Sequence, residues 1–487
     1  MKASTQKYQL RTITKSITAD SRNVKQGSLF LAYLGIKTDG RNYIANAIEK
    51  GASVVIWDCA DFEWNPAWTT ENIAIKNLRL QAGFIAHQFY KQPSTKMWMI
   101  GVTGTNGKTS VTHWLSQCFN YLNRKTAIIG TLGNGFADTL MPTVNTTPDA
   151  VKLHEMLAQF HQQQTQVVAM EVSSHGIHQG RINGVHFDVA VLTNLTRDHL
   201  DYHGTFDQYA AEKRRLFVSK NLKKAVLNYD DDFGQKIEQE LKVVGTSVIT
   251  YGINNGDVKA SNITFNDSNF NFDVTTPYGE GKITAQLIGR FNVYNILAVL
   301  STLLVSQISL ADAIASIAQI TSAPGRMQQI GGGRLPLVVV DYAHTPDALE
   351  KVLTTLKEQL TLGNKLICVF GCGGNRDAGK RELMGSIASR LANAVVVTSD
   401  NPRYENERKI IHDILQGLEG NYVVEEDRAK AISIAILSAK AGDIVLIAGK
   451  GHEDYQEIND VKHPFSDSEQ VQQVLAQLEG VIQGVTP

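Results

Sequence analysis

Residues 97–122 have the sequence MWMIGVTGTNGKTSVTHWLSQCFNYL, and this stretch decides the fold. A short apolar run, a glycine-rich loop and an apolar stretch at helical spacing follow one another, which is the strand, loop and helix order of a phosphate-binding loop. Glycines let backbone N–H groups approach phosphate oxygens, Lys108 supplies a positive charge, and Thr109 offers a hydroxyl to Mg²⁺. Val102 stands where the Walker pattern has its first glycine, so the match is to the shorter form GTNGKT. The residues predicted to hold the phosphates are Gly104, Thr105, Asn106, Gly107, Lys108, Thr109 and Ser110.

Further short apolar runs end in polar or glycine-containing loops. They are QVVAMEVSSH, VAVLTNLTRDH, KAVLNYDD, LPLVVVDYAH, KLICVFGCGG, AVVVTSDNPR and DIVLIAGKGHE. Continuous apolarity predicts parallel strands that are covered on both faces, and the helical stretches between them supply the cover, so the fold class is α/β. Ligands of such sheets bind at the carboxyl ends of the strands, which is where the polar residues of this chain cluster.

The tetrapeptide TPDA occurs twice, at residues 147–150 and 345–348. In both copies we predict a helix start, with the threonine as N-cap, the proline at the first helical position and the aspartate in the first turn. Apolar residues at helical spacing follow each copy.

The length of 487 residues predicts about three domains. The segments KQPSTK (residues 91–96) and SAPGR (residues 322–326) interrupt the pattern of apolar runs, which predicts domains at residues 1–95, 96–325 and 326–487. Residues 257–288 are polar and β-rich, and we expect them to form a small antiparallel addition to the middle domain.

The composition excludes several classes of protein. Lys plus Arg number 47 and Asp plus Glu 48, so a net charge of -1 provides no field for a nucleic-acid polymer or an anionic membrane. No run approaches the ~18 apolar residues of a membrane span, and residues 1–16 lack the apolar core of a signal peptide. The four cysteines are scattered without a CxxC pair, which is typical of a reducing compartment and argues against a disulfide framework or a structural zinc site. We therefore expect a cytoplasmic protein.

Candidate metal ligands follow two of the apolar runs. Glu171 ends the run QVVAM, and Asp198 with His199 ends the run VAVLTNLTR, so two strand ends could present ligands beside the phosphate loop. A carboxylate suits Mg²⁺ well, and an imidazole suits it less well. Lys213 lies in a predicted helix, FDQYAAEKRRLF, and the residues alone favour a solvated position for it. At this stage a motor, a kinase, a GTPase and a synthetase all remain open.

Twelve ordered segments between residues 20 and 453 together resemble the Mur ligase family. They are DSR, GTNGKT, NTTPDA, EVSSHG, TNLTRDHLDYHG, the Lys213 segment, GRFNVYN, APGRM, DYAHTPDAL, GCGGNRD, DNPR and GKGHE. The resemblance implies a three-domain architecture with a central P-loop ATPase-like parallel sheet and a C-terminal Rossmann-like domain. In that plan the N-terminal domain holds a UDP group, the central domain binds ATP, and the C-terminal domain brings the amino acid.

The resemblance also implies a reaction. An ATP-dependent, ADP-forming ligase joins an amino acid to UDP-N-acetylmuramoyl-L-alanyl-D-glutamate through an acyl phosphate, in cytoplasmic peptidoglycan precursor synthesis. Cell wall biogenesis, cell shape and cell division depend on that pathway. The segment DNPR, residues 400–403, resembles the form of the family that adds meso-diaminopimelate. We expect a monomer with Mg²⁺ as cofactor, and no nucleic-acid polymer or membrane as partner.

Roles of individual residues follow from the resemblance alone. The catalytic residues are Lys108, Glu171, His199 and Lys213. The metal ligands are Thr109, Glu171, His199 and Lys213, the last as a carbamate, because an ammonium group cannot bind a cation. Further nucleotide-binding residues are Asn292, Asn295, Arg326, Asp341 and His344. The residues for the UDP-sugar dipeptide are Ser21, Thr146, Thr147, Ser173, Gln179 and Arg181. The residues for diaminopimelate are Arg376, Asp400, Asn401, Pro402, Arg403, Gly449 and Glu453.

The choice of amino acid depends on charge geometry. Diaminopimelate carries a distal carboxylate that L-lysine lacks, and the guanidinium fork of Arg403 can bind it, leaving an unpaired buried charge when lysine enters. Asn375 replaces the family's usual aspartate before Arg376, which bears on how that arginine is oriented. Three alternatives remain: a lysine-adding ligase, a P-loop ATPase or kinase, and a nucleotide-binding regulator without turnover.

Overall fold

The computed structural model describes residues 14–36, 38–266 and 269–482. The chain divides into two compact units, residues 1–251 and 252–487. Most of the N-terminal segment considered for a signal peptide lies outside the described residues. Helices long and apolar enough to cross a membrane are absent from the described part of the chain. All four cysteines are free thiols.

The first unit begins with a parallel sheet, continues into a second sheet, and carries a helix after most strands. The strands are β1 (Ser16–Thr18), β2 (Ser28–Ala32), β3 (Ala52–Asp58), β4 (Glu71–Ile75), β5 (Trp98–Thr103), β6 (Thr126–Gly130), β7 (Gly133–Phe136), β8 (Thr139–Met141), β9 (Val167–Glu171), β10 (Val189–Leu192), β11 (Lys224–Asn228) and β12 (Ser247–Gly252). The helices are α1 (Ile44–Glu49), α2 (Leu78–Phe89), α3 (Lys108–Tyr121), α4 (Ala150–Gln162), α5 (Ser174–His178), α6 (Leu200–His203), α7 (Phe206–Phe217) and α8 (Asp232–Val244).

Strand β5 lies in the middle of the second sheet, between β10 and β9, and both pairings are parallel. The order of strands in this unit is β12-β11-β10-β5-β9-β6-β7-β8, and only the last two pairings are antiparallel. Glu171 at the end of β9 lies opposite Val102, and Leu192 at the end of β10 lies opposite Thr103. The register therefore brings the ends of three strands to the start of the phosphate loop.

The second unit contains an antiparallel meander, a mainly parallel sheet and seven helices among its described residues. Its strands are β13 (Val258–Phe265), β14 (Phe270–Thr276), β15 (Gly279–Ala285), β16 (Gln328–Gly331), β17 (Leu337–Asp341), β18 (Leu366–Phe370), β19 (Ala394–Val397), β20 (Tyr422–Val424), β21 (Ile444–Ala448), β22 (Tyr455–Ile458) and β23 (Val461–Pro464). Its helices are α9 (Arg290–Val305), α10 (Leu310–Ile317), α11 (Pro346–Lys357), α12 (Gly379–Leu391), α13 (Glu407–Leu415), α14 (Arg428–Ser438) and α15 (Asp467–Ile482). The strands β13 to β15 pair antiparallel, as expected for residues 257–288.

The six-stranded sheet of this unit has the order β16-β17-β21-β18-β19-β20, and only β16 is antiparallel. Apolar clusters cover both of its faces: Val339, Leu446 and Cys368 face one cluster, and Val340, Ile447 and Val369 face the other. The predicted α/β class and the continuous burial of its strands are confirmed. The predicted division into three domains stays a prediction.

One of the two TPDA predictions is wrong. Helix α11 begins at Pro346 with Thr345 as N-cap, as expected, but α4 begins at Ala150 with Asp149 as N-cap. The hydroxyl of Thr147 instead donates to the carbonyl oxygen of Glu171 at 3.0 Å. A tertiary hydrogen bond at the carboxyl end of β9 thus engages the hydroxyl that local propensity assigns to the helix N-cap.

A fully buried ion pair connects the C-terminal helix to the six-stranded sheet. Asp467, the first residue of α15, accepts hydrogen bonds from Nε and Nη2 of Arg428, both at 2.7 Å, and neither side chain is exposed to solvent. The guanidinium also donates to the carbonyl oxygens of Ser399, at 3.4 Å, and Ala448, at 3.1 Å. These carbonyls directly precede Asp400 and Gly449, so the pair supports the backbone from which two polar loops start.

We expect Arg428→Met and Asp467→Asn each to lower the midpoint of thermal unfolding strongly, because a buried charge that loses its partner costs about 3–5 kcal/mol. The double variant Arg428→Met/Asp467→Asn should lose less than the sum of the single losses, since it leaves no unpaired charge. Differential scanning calorimetry measures both effects.

The control is Arg408→Met, which removes an exposed ion pair with Glu426 and should shift the midpoint little, because such pairs contribute about 0–1 kcal/mol. Additive losses in the double variant would contradict the coupling of Arg428 and Asp467.

Candidate functional site

The phosphate loop lies between β5 and α3, as predicted, and two of its glycines have positive φ. Gly104 has φ 150°, and a Cβ there would lie 1.9 Å from Oγ1 of Thr193. Gly107 has φ 84° and is the N-cap of α3, where it offers no side chain to obstruct the helix N-terminus. A side chain at either position would strain or block the loop, so the close packing requires glycine.

Two lysine amines meet at one carbonyl oxygen of this loop. Lys108 Nζ donates to the carbonyl oxygen of Gly104 at 2.9 Å and to that of Thr105 at 2.8 Å. Lys213 Nζ, on α7, donates to the same Gly104 oxygen at 2.7 Å. Lys213 is 1% exposed, so its predicted solvated position is wrong. Burial and, secondarily, the charge of Lys108 hold the pKa of Lys213 well below its usual value, which favours the neutral amine.

Glu171 and three threonines form a network beside the loop. Thr109 Oγ1 donates to Glu171 Oε2 at 3.1 Å, and the backbone N–H of Thr131 donates to Oε1 at 2.7 Å. The Thr131 hydroxyl bonds Glu171 Oε2 at 3.2 Å and the hydroxyl of Thr146 at 3.0 Å. A Cβ at Gly130 would lie 2.3 Å from Glu171 Oε1, so this glycine makes room for the carboxylate. The hydroxyl and carboxylate oxygens of Thr109 and Glu171 are the donor set that Mg²⁺ prefers.

His199 is the N-cap of α6 and follows Leu192, the last residue of β10, by seven positions. Its backbone is left-handed, with φ 52°, and its ring nitrogen lies 3.3 Å from Asp198. The ring of Tyr209 lies 6.2 Å from the His199 ring and 4.7 Å from Lys213 Nζ, so Tyr209 borders both residues. Clusters of three or more His, Cys, Asp or Glu side chains ready for a metal are absent from the described ranges.

Four of the six residues predicted for the UDP-sugar dipeptide form a second network. Thr147 Oγ1 bonds the Ser173 hydroxyl at 3.0 Å, and Arg181 donates from Nη1 to the carbonyl oxygen of Thr147 at 2.7 Å. Arg181 Nε also donates to Gln179 Oε1 at 2.8 Å, and Gln179 Nε2 donates to the hydroxyl of Tyr202 at 3.0 Å. Thr146 reaches the Glu171 network instead.

Ser21 lies elsewhere in the first unit. It is buried in a short 3-10 helix after β1, and its carbonyl oxygen accepts from Lys50 Nζ at 3.2 Å. No hydrogen bond joins it to the other five residues of the predicted set within the part of the chain that the structure describes.

The residues of the second unit that were predicted for the nucleotide fall into two groups. Asn292 donates to the carbonyl oxygen of Ile288 at 2.7 Å and accepts from Asn295 at 3.0 Å, and both asparagines are buried near the start of α9. Arg326 lies over the ring of Tyr342, and its buried Nε has no partner among the described residues.

Asp341 accepts from the backbone N–H groups of Met327 and Ala343, both at 2.8 Å. Burial raises the pKa of Asp341, against the opposing effect of Arg326. His344 is exposed, and its Nδ1 lies 2.8 Å from the carbonyl oxygen of Tyr342. Arg326, Asp341 and His344 therefore lie near the carboxyl end of β17, and no hydrogen bond among the described residues joins them to the asparagine pair.

Asp400, Asn401 and Glu453 come together at the ends of β19 and β21. Asn401 Nδ2 donates to Glu453 Oε2 at 2.9 Å. Asp400 is 7% exposed, and its Oδ1 accepts no hydrogen bond from the described residues. Gly449 has φ 118°, and a Cβ there would lie 3.0 Å from Asp400 Oδ2, so this glycine lets the carboxylate approach. The arrangement offers oxygen acceptors to a ligand ammonium group.

Arg403 follows Pro402 and lies beside the loop that contains Arg376. Arg403 Nε donates to Glu457 Oε2 at 3.0 Å, and Nη1 donates to the carbonyl oxygen of Gly374 at 3.0 Å. Asn375 has φ 52°, which asparagine tolerates well, and its Oδ1 accepts from the N–H of Tyr404 at 3.1 Å. The replacement of the usual aspartate therefore retains an acceptor at this position, and the next side chain, Arg376, is exposed.

Sequence reasoning missed four residues of these networks: Thr131, Tyr202, Lys450 and Glu457. Lys450 and Tyr202 lie inside the motifs GKGHE and TNLTRDHLDYHG. A polar side chain within glycine-rich or histidine-rich sequence is the signal that could have identified each of them as a site residue. Thr131 and Glu457 carry no local signal, because only the pairing of distant strands and loops brings them to the sites.

Comparison with known proteins agrees with this geometry. The family model described as Mur ligase middle domain matches residues 102–303, that of the Mur ligase glutamate ligase domain matches residues 325–451, and that of the Mur ligase family catalytic domain matches residues 14–90. A Chromobacterium violaceum protein named UDP-N-acetylmuramoyl-L-alanyl-D-glutamate--2,6-diaminopimelate ligase is 50% identical over 461 residues, which cover 94% of each chain. A Pseudomonas aeruginosa protein of that name is 46% identical over 471 residues, which cover 96% of each chain.

A solved structure of a ligase of the same name has a TM-score of 0.73 at 36% identity, and the match covers 96% of this chain and 95% of that one. This likeness confirms the predicted Mur ligase architecture. Because the relatives are this similar over nearly their whole length, the chain belongs to the Mur ligase family.

Proposed function

We propose that this protein is the ATP-dependent ligase that adds meso-diaminopimelate to UDP-N-acetylmuramoyl-L-alanyl-D-glutamate. The observation that carries the proposal is the similarity, along nearly the whole of both chains, to relatives named as diaminopimelate ligases. The substrates are ATP, the UDP-sugar dipeptide and the diamino acid. The enzyme acts as a monomer in the cytoplasm, where peptidoglycan precursors are made for cell wall biogenesis.

The first chemical step joins two anions. An oxygen of the D-glutamyl carboxylate attacks the γ-phosphorus of ATP, the bond from that phosphorus to the β,γ-bridging oxygen breaks, and ADP leaves. The amine of diaminopimelate then attacks the acyl carbon, loses a proton, and expels phosphate to leave the amide. Lys108 and the backbone of residues 104–107 hold the phosphates and offset the repulsion between the two anions.

The donor chemistry at the loop fits Mg²⁺. Thr109 and Glu171 would hold one ion, and His199 with carbamylated Lys213 a second. Bound Mg²⁺ supplies positive charge that stabilises the negative charge on the phosphoryl oxygens.

A carbamate on Lys213 is consistent with its surroundings. The neutral amine, which burial favours, attacks CO₂ through its nitrogen lone pair and loses a proton, which converts a neutral group into an anionic one. The change would also place a negative charge beside Lys108, whose amine and that of Lys213 share the Gly104 carbonyl.

The other substrates fit the remaining networks. Arg181 pairs with an anionic group of the UDP-sugar dipeptide, and Thr146, Thr147, Ser173, Gln179 and Ser21 supply its polar contacts. Asn292, Asn295, Arg326, Asp341 and His344 serve the nucleotide. Asp400 and Glu453 accept hydrogen bonds from an ammonium group of diaminopimelate, with Asn401, Pro402, Gly449 and Arg376 completing that site.

Arg403 selects diaminopimelate by its distal carboxylate. The guanidinium of Arg403 donates to Glu457 and to the Gly374 carbonyl oxygen, and these two hydrogen bonds fix the orientation of its plane. L-Lysine offers no carboxylate there, so it leaves the arginine without its substrate partner.

The test of the proposed function is phosphate release with ATP, Mg²⁺ and UDP-N-acetylmuramoyl-L-alanyl-D-glutamate, with meso-diaminopimelate or L-lysine added in parallel and products identified by mass. We expect a UDP-tripeptide with diaminopimelate, and only a low background of product with L-lysine. Product with L-lysine instead would show a lysine-adding ligase, and turnover that ignores the UDP-dipeptide would show an ATPase.

Lys213→Met should lower the rate of amide formation by about 100-fold or more, because it removes a charged group that the transferring phosphate depends on. Bicarbonate should restore activity to the wild-type enzyme after CO₂ depletion, and short carboxylic acids should partly rescue Lys213→Ala. Lys220→Met is the matched control. Lys220 is exposed and lies shortly after α7, so this variant should keep full activity. A wild-type enzyme indifferent to CO₂ would contradict the carbamate.

Arg403→Met should lower kcat/KM for meso-diaminopimelate by about 100-fold, since a charge pair with the distal carboxylate is lost. The same variant should leave the low activity with L-lysine unchanged, and Arg390→Met, an exposed arginine, should affect neither substrate. Steady-state kinetics with both amino acids measures the discrimination. An equal loss for both substrates would show that Arg403 does not contact the distal carboxylate.

A further inference from the structure

The ammonium group of Lys450 is completely buried among the residues proposed to bind the amino acid. Its Nζ donates to Asn401 Oδ1 at 3.1 Å and to Glu453 Oε2 at 3.3 Å, and it lies 3.7 Å from Asp400 Oδ1. The ring of Tyr455 lies 5.6 Å from the same nitrogen. A lysine side chain therefore lies inside a site whose substrate also brings ammonium groups.

The formal charges of Lys450 and of the two carboxylates beside it do not cancel. Asp400 and Glu453 are two anions, and Lys450 is one cation, so this cluster has one negative charge left over. Two neighbouring arginines are engaged by other carboxylates: Arg428 pairs with Asp467, and Arg403 pairs with Glu457. The orphaned Oδ1 of buried Asp400 marks the position at which a further donor is required.

We propose that Lys450 is a positioning residue that holds the carboxylates of Asp400 and Glu453 together. It leaves the cluster one net negative charge, which pairs with a single ammonium group of the amino acid. Without Lys450, buried Asp400 and partly buried Glu453 would repel each other and separate or take up a proton. The inference rests on the proposed function, because it assumes that Asp400 and Glu453 receive that ammonium group. Lys450 acts through these side chains and does not contact the reacting atoms.

The main test is Lys450→Met, which keeps an unbranched side chain and removes the charge. We expect KM for meso-diaminopimelate to rise at least tenfold, while KM for ATP stays within twofold of the wild-type value. Lys440→Met, an exposed lysine in the loop before β21, is the matched control and should leave both constants unchanged. A role in stability alone would lower the amount of active enzyme, and so kcat, without changing KM for the amino acid.

A second variant keeps the test decisive if Lys450→Met folds poorly. Asp400→Asn raises KM for diaminopimelate by removing an acceptor charge, and Lys450→Met/Asp400→Asn restores a single net negative charge to the cluster. We expect KM of this double variant to lie within threefold of that of Asp400→Asn. A rise of tenfold or more over Asp400→Asn, or a wild-type KM in Lys450→Met, would overturn the role of Lys450.

The wild-type assay separates this inference from the proposed function. Release of phosphate that depends on diaminopimelate in the wild-type enzyme, together with an unchanged KM in Lys450→Met, refutes only the role of Lys450. Absence of diaminopimelate-dependent release from the wild-type enzyme refutes the proposed function itself, and with it the premise of this inference.

Discussion

Two amines share one carbonyl oxygen at the start of the phosphate loop, and this arrangement organises the first unit. Lys108 and Lys213 both donate to the Gly104 carbonyl, one from the helix that follows the loop and one from α7. Two full positive charges at this distance repel each other, so the arrangement favours a neutral Lys213 and a supply of negative charge from bound groups. Phosphate oxygens and a carbamate both provide it, which connects the electrostatics of the loop to phosphoryl transfer.

In the second unit, the ends of parallel strands position the polar side chains. Parallel strands bring their carboxyl ends to one edge, and the loops after β19 and β21 present Asp400, Asn401 and Glu453 there. The buried pair of Arg428 and Asp467 supports the backbone just before these loops. Lys450 then balances the carboxylates themselves. Each unit therefore places a buried lysine next to the groups that we propose to bind charged substrate.

Local patterns predicted much of the fold, because apolar runs, glycine loops and helix caps leave marks in a few neighbouring residues. The phosphate loop, the position of Glu171 at a strand end and the start of α11 followed in this way. Thr147 was misplaced because its hydroxyl bonds Glu171, 24 residues away along the chain. Lys213 was misplaced because charge patterns do not reveal which face of α7 the sheet covers, and the roles of the site residues came from family resemblance.

Transfer of oxygen from substrate to phosphate distinguishes acyl-phosphate chemistry from hydrolysis of ATP by water. When the D-glutamyl carboxylate of the UDP-dipeptide carries ¹⁸O, attack on the γ-phosphorus places one labelled oxygen between carbon and phosphorus, and displacement by the amine sends it away with phosphate. Mass spectrometry of the released phosphate should therefore find one ¹⁸O per molecule in the presence of diaminopimelate. Phosphate without label would mean that water attacks ATP, and it would contradict the assignment of acyl-phosphate chemistry to this loop.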